Sequence, residues 1–127
     1  MRVRSGQAQK VVAESFDITT SDRFVLSATR YSNAHADTSA PLDLVVAGGT
    51  GIPQRFYPRF AEYMAECGAT VITFDYRGVG LSRPKSLKGF DADMIDWGTR
   101  DLAAVARVAH NPVVIGHSFG GQAFGLV

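Results

Sequence analysis

The chain has 127 residues, 46% of them apolar, with thirteen Lys and Arg against twelve Asp and Glu for a net charge of +1. That balance contains no basic block to hold a phosphate backbone, so nucleic acid is not an expected partner, and no apolar run approaches the roughly 18 residues of a membrane span. The start, MRVRSGQAQ, is basic but lacks the apolar stretch and cleavage site of a signal peptide, and the lone Cys67 excludes an internal disulfide and any cysteine-rich metal site; both fit a cytoplasmic protein.

Two segments open the chain as an antiparallel pair. KVVAESFDI and RFVLSATRY are rich in strand-forming residues and flank the turn-like Thr19-Thr20-Ser21-Asp22. The polar run SNAHADTSAP follows and reads as a surface loop. Beyond it the pattern changes. Leu42–Ala47, Thr70–Phe74 and Pro112–Ile115 are short, apolar and largely β-branched, without the alternation of a one-sided strand. Such runs suit parallel strands covered on both faces.

Helical periodicity fills the gaps between them. Phe56, Phe60, Tyr63, Met64 and Cys67 recur at helical spacing and predict the buried face of one helix, with Pro58 in its first turn and Gly68 as its stop. Leu102, Val105, Ala106 and Ala109 predict a second amphipathic helix that ends before Pro112. Strand, strand, then strand–helix–strand–helix–strand and the start of another helix predict an α/β fold: an antiparallel first pair leading into a mostly parallel sheet with helices on both faces. There is no repeat, low-complexity tract or linker, so residues 1–127 read as part of one domain.

Three motifs sit at the ends of the buried strands. Gly116-His117-Ser118-Phe119-Gly120 has the G-x-S-x-G pattern of a nucleophile elbow, preceded by an apolar strand and followed by the helix-compatible QAFGLV. Small residues at Gly116 and Gly120 let the chain turn sharply and hold Ser118 in a strained conformation. Acyl transfer also needs backbone N–H groups aimed at the developing oxyanion. In an elbow one comes from the residue after the serine, here Phe119, and another from the loop after the third strand, here Gly48-Gly49-Thr50-Gly51. That glycine loop is neither a Walker motif nor G-x-G-x-x-G, which argues against a nucleotide cradle. The third motif, Asp75-Tyr-Arg-Gly-Val-Gly-Leu-Ser82, puts a carboxylate on the same rim as Ser118. Its preferred reading is a cap on the N–H groups of a glycine turn, ahead of a role as triad acid.

With VVAGGTGIPQRFY, DYRGVGLS and VVIGHSFGG in this order, the chain resembles the α/β-hydrolase superfamily, most of all its serine aminopeptidase and lysophospholipase-like branch with its many predicted hydrolases. The resemblance runs from about Val11 to Val127. It implies Ser118 as nucleophile, Phe119 N–H as an oxyanion donor and Asp75 as structural. Many members carry His-Gly where this chain has Ala47-Gly48, so the second donor is open among Thr50, Gly49 and Gly51, with Thr50 first.

A serine hydroxyl needs a base within hydrogen-bond reach. In the fold this resemblance implies, His35 and His110 belong to the opposite end of the sheet, His110 on the order of 15 Å from Ser118 at about 3.3 Å per strand residue. His117 adjoins Ser118, but neighbouring side chains diverge at a strand end, and a packing or turn hydrogen bond is its expected role. The family order is serine, acid, histidine, and only nine residues follow Ser118, none of them acidic or His. The expectation is therefore an N-terminal portion of a longer domain, with five of about eight strands. The expected activity is that of a serine hydrolase transferring the acyl group of a small-molecule ester, thioester or amide to water, without a cofactor or metal. The rival is a non-catalytic ligand-binding or receptor protein on the same scaffold. Nothing in the sequence indicates an oligomeric state.

Overall fold

The computed structural model describes residues 11–34 and 42–127. Most of the predicted polar loop, His35 included, lies outside the described residues. Five strands form one sheet: β1 (Val11–Thr19), β2 (Val25–Asn33), β3 (Asp43–Ala47), β4 (Thr70–Phe74) and β5 (Val113–Gly116), in the spatial order β1-β2-β4-β3-β5. β1 pairs with β2 and β2 with β4 antiparallel, while β4, β3 and β5 run parallel. This is the predicted mixed sheet. No helix among the described residues is long and apolar enough to cross a membrane.

The β1–β2 hairpin closes on a polar turn. Thr20 Oγ1 donates to Asp22 and accepts the Phe24 N–H at 2.9 Å, while Arg23 takes a left-handed φ of 67°. α1 (Pro58–Glu66) lies on one face of the sheet. The other face is covered by a long helix, in which α2 (Met94–Asp96), a π-helical stretch (Trp97–Leu102) and α3 (Ala103–Val108) run on without a break, and by α4 (Phe119–Ala123) after β5. Asp93 starts the long helix with a capping box: it accepts the Asp96 N–H at 3.0 Å, and the Asp96 carboxylate accepts the Asp93 N–H at 3.2 Å.

The two faces bury separate cores. Ile18, Leu26, Val45, Ile72, Phe74, Leu102 and Val105 fill the one beneath the long helix. Tyr31, Leu44, Val46, Val71, Ala61 and Ala65 fill the one under α1. The last set corrects the sequence reading of α1. Its buried positions are Ala61 and Ala65, whereas Phe56, Phe60 and Tyr63 are exposed and Met64 and Cys67 half-buried. Large residues at helical spacing mark a stripe, but alanines permit the helix axis to approach β2 and β4 closely, and that contact sets the inward face. The other helical stripe holds at Leu102 and Val105. β3 and β4 are buried almost throughout, as expected of central parallel strands. β5 is not: Val113 is exposed and Val114 and Ile115 half-buried, because β5 pairs with β3 alone among the described residues.

Candidate active site

Register brings the ends of β3 and β5 level. Ala47 pairs with Gly116, and the His117 N–H extends the ladder to the Ala47 carbonyl at 2.9 Å. The chain then reverses at Ser118, whose φ of 56° and ψ of −115° lie in a region that a side-chain-bearing residue occupies only under strain. Helix α4 starts at the next residue, with Gly120 N–H donating to His117 O at 3.0 Å and Gly121 N–H to Ser118 O at 3.1 Å. Two glycines make the turn sterically feasible. A methyl group on Gly116 would overlap the backbone of Gly121, and one on Gly120 would overlap the Ala47 carbonyl. Ser118 is exposed at the rim. Its strained backbone is held by these close approaches from both sides.

Phe119 is anchored beneath the turn. Its ring meets Trp97 edge-on at 5.7 Å and Tyr76 at 6.0 Å, and Tyr76 and Trp97 stack at 5.2 Å. This cluster fixes the residue whose backbone N–H the sequence assigns to the oxyanion. The fully buried Tyr76 also donates from its hydroxyl to the Gly48 carbonyl at 3.3 Å. Burial pushes that hydroxyl's pKa well above the usual phenol range, so it remains a donor at any physiological pH.

The glycine loop after β3 abuts the elbow. A methyl group on Gly49 would come 3.6 Å from the His117 carbonyl. Tyr57, ahead of α1, bridges the two: its hydroxyl accepts the Gly49 N–H at 3.3 Å and meets His117 Nδ1 at 2.9 Å. The Gly49 N–H is thus already engaged. Thr50 and Gly51, the other two candidates, are exposed at the loop's tip, and the loop closes by Ile52 N–H donating to Gly49 O at 3.1 Å.

Asp75 caps, as its preferred reading had it. Fully buried, its carboxylate accepts the Gln54 N–H at 2.7 Å, the Gln54 Nε2 at 2.9 Å and the Leu81 N–H of the glycine turn at 3.1 Å. Gln54 Oε1 in turn accepts from the hydroxyls of Thr29 and Thr73, each at 2.9 Å. Ser82 donates to the Asp75 carbonyl at 2.7 Å and accepts the Ser27 N–H at 2.9 Å. The loops after β3 and β4 and the middle of β2 are therefore tied by one buried polar network. A second centres on Arg77, also buried. It donates from Nε and its backbone N–H to Asp101 at 2.9 and 2.8 Å, pairs with Asp22 at 2.7 Å and lies over the Phe24 ring at 4.8 Å. Trp97 Nε1 donates to the Arg77 carbonyl at 3.0 Å.

The histidines separate by position. His117 is taken up by Tyr57. His110 exchanges hydrogen bonds with Asp43 at the start of β3, its N–H donating to Oδ2 at 2.8 Å and its carbonyl accepting the Asp43 N–H at 2.9 Å. That is the end of the sheet away from Ser118. Among the described residues no imidazole or carboxylate bonds the Ser118 hydroxyl. Sequence reasoning missed Tyr57, Tyr76, Gln54 and Trp97 as supports of this rim. Tyr76 stood inside DYRGVGLS, and Gln54 and Tyr57 inside the stretch after the glycine loop, but their partners are remote in the chain.

Several solved structures share the fold. An esterase from Pyrococcus furiosus matches at a TM-score of 0.66 with 22% identity, over 88% of this chain and 44% of its own. Alpha/beta hydrolase domain-containing protein 10 from mouse matches at 0.67 with 20% identity, over 87% and 42%. Epoxide hydrolase A from Mycobacterium thermoresistibile matches at 0.60 with 21% identity, over 88% and 33%. The chain thus spans less than half the length of each of these structures. No curated protein sequence matches it. Residues 44–126, from the start of the buried parallel strands to the end of the chain's last helical turn, match the Alpha/beta hydrolase family, and the chain belongs to that family.

Proposed function

We propose that the chain carries the nucleophile and oxyanion side of a serine hydrolase, which transfers the acyl group of an ester, thioester or amide to water. The observation that carries this reading is the backbone of Ser118: a strained, exposed serine at a strand-to-helix turn that only glycines at 116 and 120 allow. In this reading Ser118 Oγ attacks the acyl carbonyl carbon. The oxyanion that forms is met by the Phe119 N–H and by Thr50 or Gly51 across the rim. A base takes the serine proton, returns it to the leaving group, and then activates water to cleave the serine ester. That base and its acid must be supplied by residues other than those described, and residues 1–127 are then one portion of the hydrolase domain. The order of VVAGGTGIPQRFY, DYRGVGLS and VVIGHSFGG supports placing it with the serine aminopeptidase and lysophospholipase-like branch.

The test is covalent labelling with a fluorophosphonate of the protein expressed from the open reading frame that contains this chain. Mass spectrometry should place the adduct on Ser118, and Ser118→Ala should abolish both the adduct and ester hydrolysis. A protein that binds small esters yet is neither labelled nor turns them over would instead be a ligand-binding member of the family.

A further inference from the structure

A cavity of about 390 Å³ opens on the same rim as Ser118, between the loops that follow β3 and β4. Its walls include Gly51 and Pro53 from the first loop and Gly78 and Gly80 from the second. Each loop contributes one arginine, Arg55 and Arg83. Both are exposed, and among the described residues neither guanidinium has a carboxylate within ion-pair distance; the ion pairs present all belong to Arg77 and Arg100. The Arg55 guanidinium lies over the ring of Phe56 at 5.9 Å. Asp75 lines the adjoining recess, but its oxygens face the three N–H groups already described, and it is fully buried. The cavity is therefore lined by one arginine from each loop, neither with an ion-pair partner among the described residues.

We propose that this cavity is a subsite for an anionic group of the substrate, a carboxylate or a phosphate, so that the hydrolase acts on esters that carry a negative charge away from the scissile bond. The inference rests on the reading of Ser118 as nucleophile. Strand order sets the spacing. Ser118 follows β5, β3 lies next to it, and the cavity is lined by the loops that leave β3 and β4. Those loops are tied to β2 through Ser27 and Thr29, which puts the cavity two to three strand spacings, or about 10–14 Å, from the elbow. A substrate reaching from one to the other crosses Gly49–Gly51, the loop of candidate oxyanion donors. Guanidinium pairs recognise carboxylate and phosphate through charge-assisted, often bidentate hydrogen bonds, and do so with more geometric selectivity than ammonium groups.

The experiment compares matched esters on the protein expressed from its open reading frame. The pairs are p-nitrophenyl hemiadipate against p-nitrophenyl hexanoate, and butyryl-glycerol phosphate against butyryl-glycerol. At least one anionic member should exceed its neutral partner by about tenfold in kcat/KM, and which one does identifies the anion. The double variant Arg55→Gln, Arg83→Gln should remove that preference, with the loss confined to the anionic ester. No preference in either pair overturns the proposal, as does an equal loss on anionic and neutral esters. If no ester is turned over and fluorophosphonate does not label Ser118, the hydrolase reading fails and the subsite is judged by binding alone. Titration with adipate and with glycerol phosphate should then give saturable shifts of the arginine Nε–H resonances that vanish in the double variant. Their absence from the wild-type protein overturns the subsite as well.

Discussion

Gln54→Leu isolates the buried network that holds the candidate site together. Leucine matches the side chain roughly in size but offers no polar atom. Thr73, itself fully buried, loses the acceptor of its hydroxyl. An unsatisfied buried hydroxyl costs about 1–3 kcal/mol. Asp75 Oδ2 loses one of its two donors and retains the Leu81 N–H. A hydrogen bond to a charged group is worth about 1.5–3 kcal/mol. Thr29 is only half-buried and can turn to water, so it adds little. The sum is about 3–5 kcal/mol, a large part of the roughly 5–15 kcal/mol that holds a domain together. Urea unfolding followed by the fluorescence of Trp97, the only tryptophan, checks it. With a slope of about 1–3 kcal/mol per molar urea, the midpoint should fall by about 2 M. A Thr29→Val control should move it far less. If Gln54→Leu shifts the midpoint no more than that control, the network does not stabilise the rim and the reasoning is wrong.

Three other outcomes are expected. Tyr57→Phe removes the bridge from Gly49 to His117 and keeps the ring that packs on the core under α1, so ester hydrolysis should lose about tenfold in kcat with KM and the urea midpoint little changed; a change in KM alone would mean that Tyr57 contacts substrate instead. Hydrogen bonds from Arg77 hold the Asp22 carboxyl well below the usual carboxylate range; a lowered carboxyl adds stability above its unfolded pKa of about 3.9 and loses it as pH falls through the folded value, so the urea midpoint should drop from about pH 5 downward, and Asp22→Asn should lower the midpoint at neutral pH and flatten that drop. The outer side of β5 is unpaired among the described residues, uncharged and rich in valine, so residues 1–127 expressed alone should self-associate, which gel filtration over a range of concentrations reads directly; a monomer throughout would refute it.

Local patterns in the sequence carried the sheet and the elbow, and long-range partners were what they could not carry. The largely apolar, non-alternating runs at Leu42–Ala47 and Thr70–Phe74 announced buried parallel strands because burial on both faces suppresses alternation. Gly116 and Gly120 announced the turn at Ser118 because overlap with Gly121 and Ala47 is a constraint on residue type, and residue type is what a sequence records. The inward face of α1 was misread because Ala61 and Ala65 carry little hydrophobic signal although they make the closest packing. Gln54, Tyr57 and Tyr76 could not be singled out. Each acts through a hydrogen bond to a residue 8 to 60 positions away, and no spacing rule links such pairs.

The π-helical stretch Trp97–Leu102 constrains the protein in a way that side-chain identity does not reveal. Its widened turns let Trp97 reach the Arg77 carbonyl while Asp101, four residues on, grips the same arginine from the side. Between them, Thr99 and Arg100 face solvent. Their contacts, Thr99 to the Ile95 carbonyl and Arg100 to Asp22 and Asp96, are at the surface, so those two positions can change chemically at little cost, yet removing either would turn everything before it by about a quarter turn about the helix axis. The indole would leave the cluster beneath Phe119, or Asp101 would leave Arg77. Over this stretch it is residue count that is under constraint, and relatives are expected to vary freely at the solvent-facing letters while admitting no gap between the tryptophan and the aspartate.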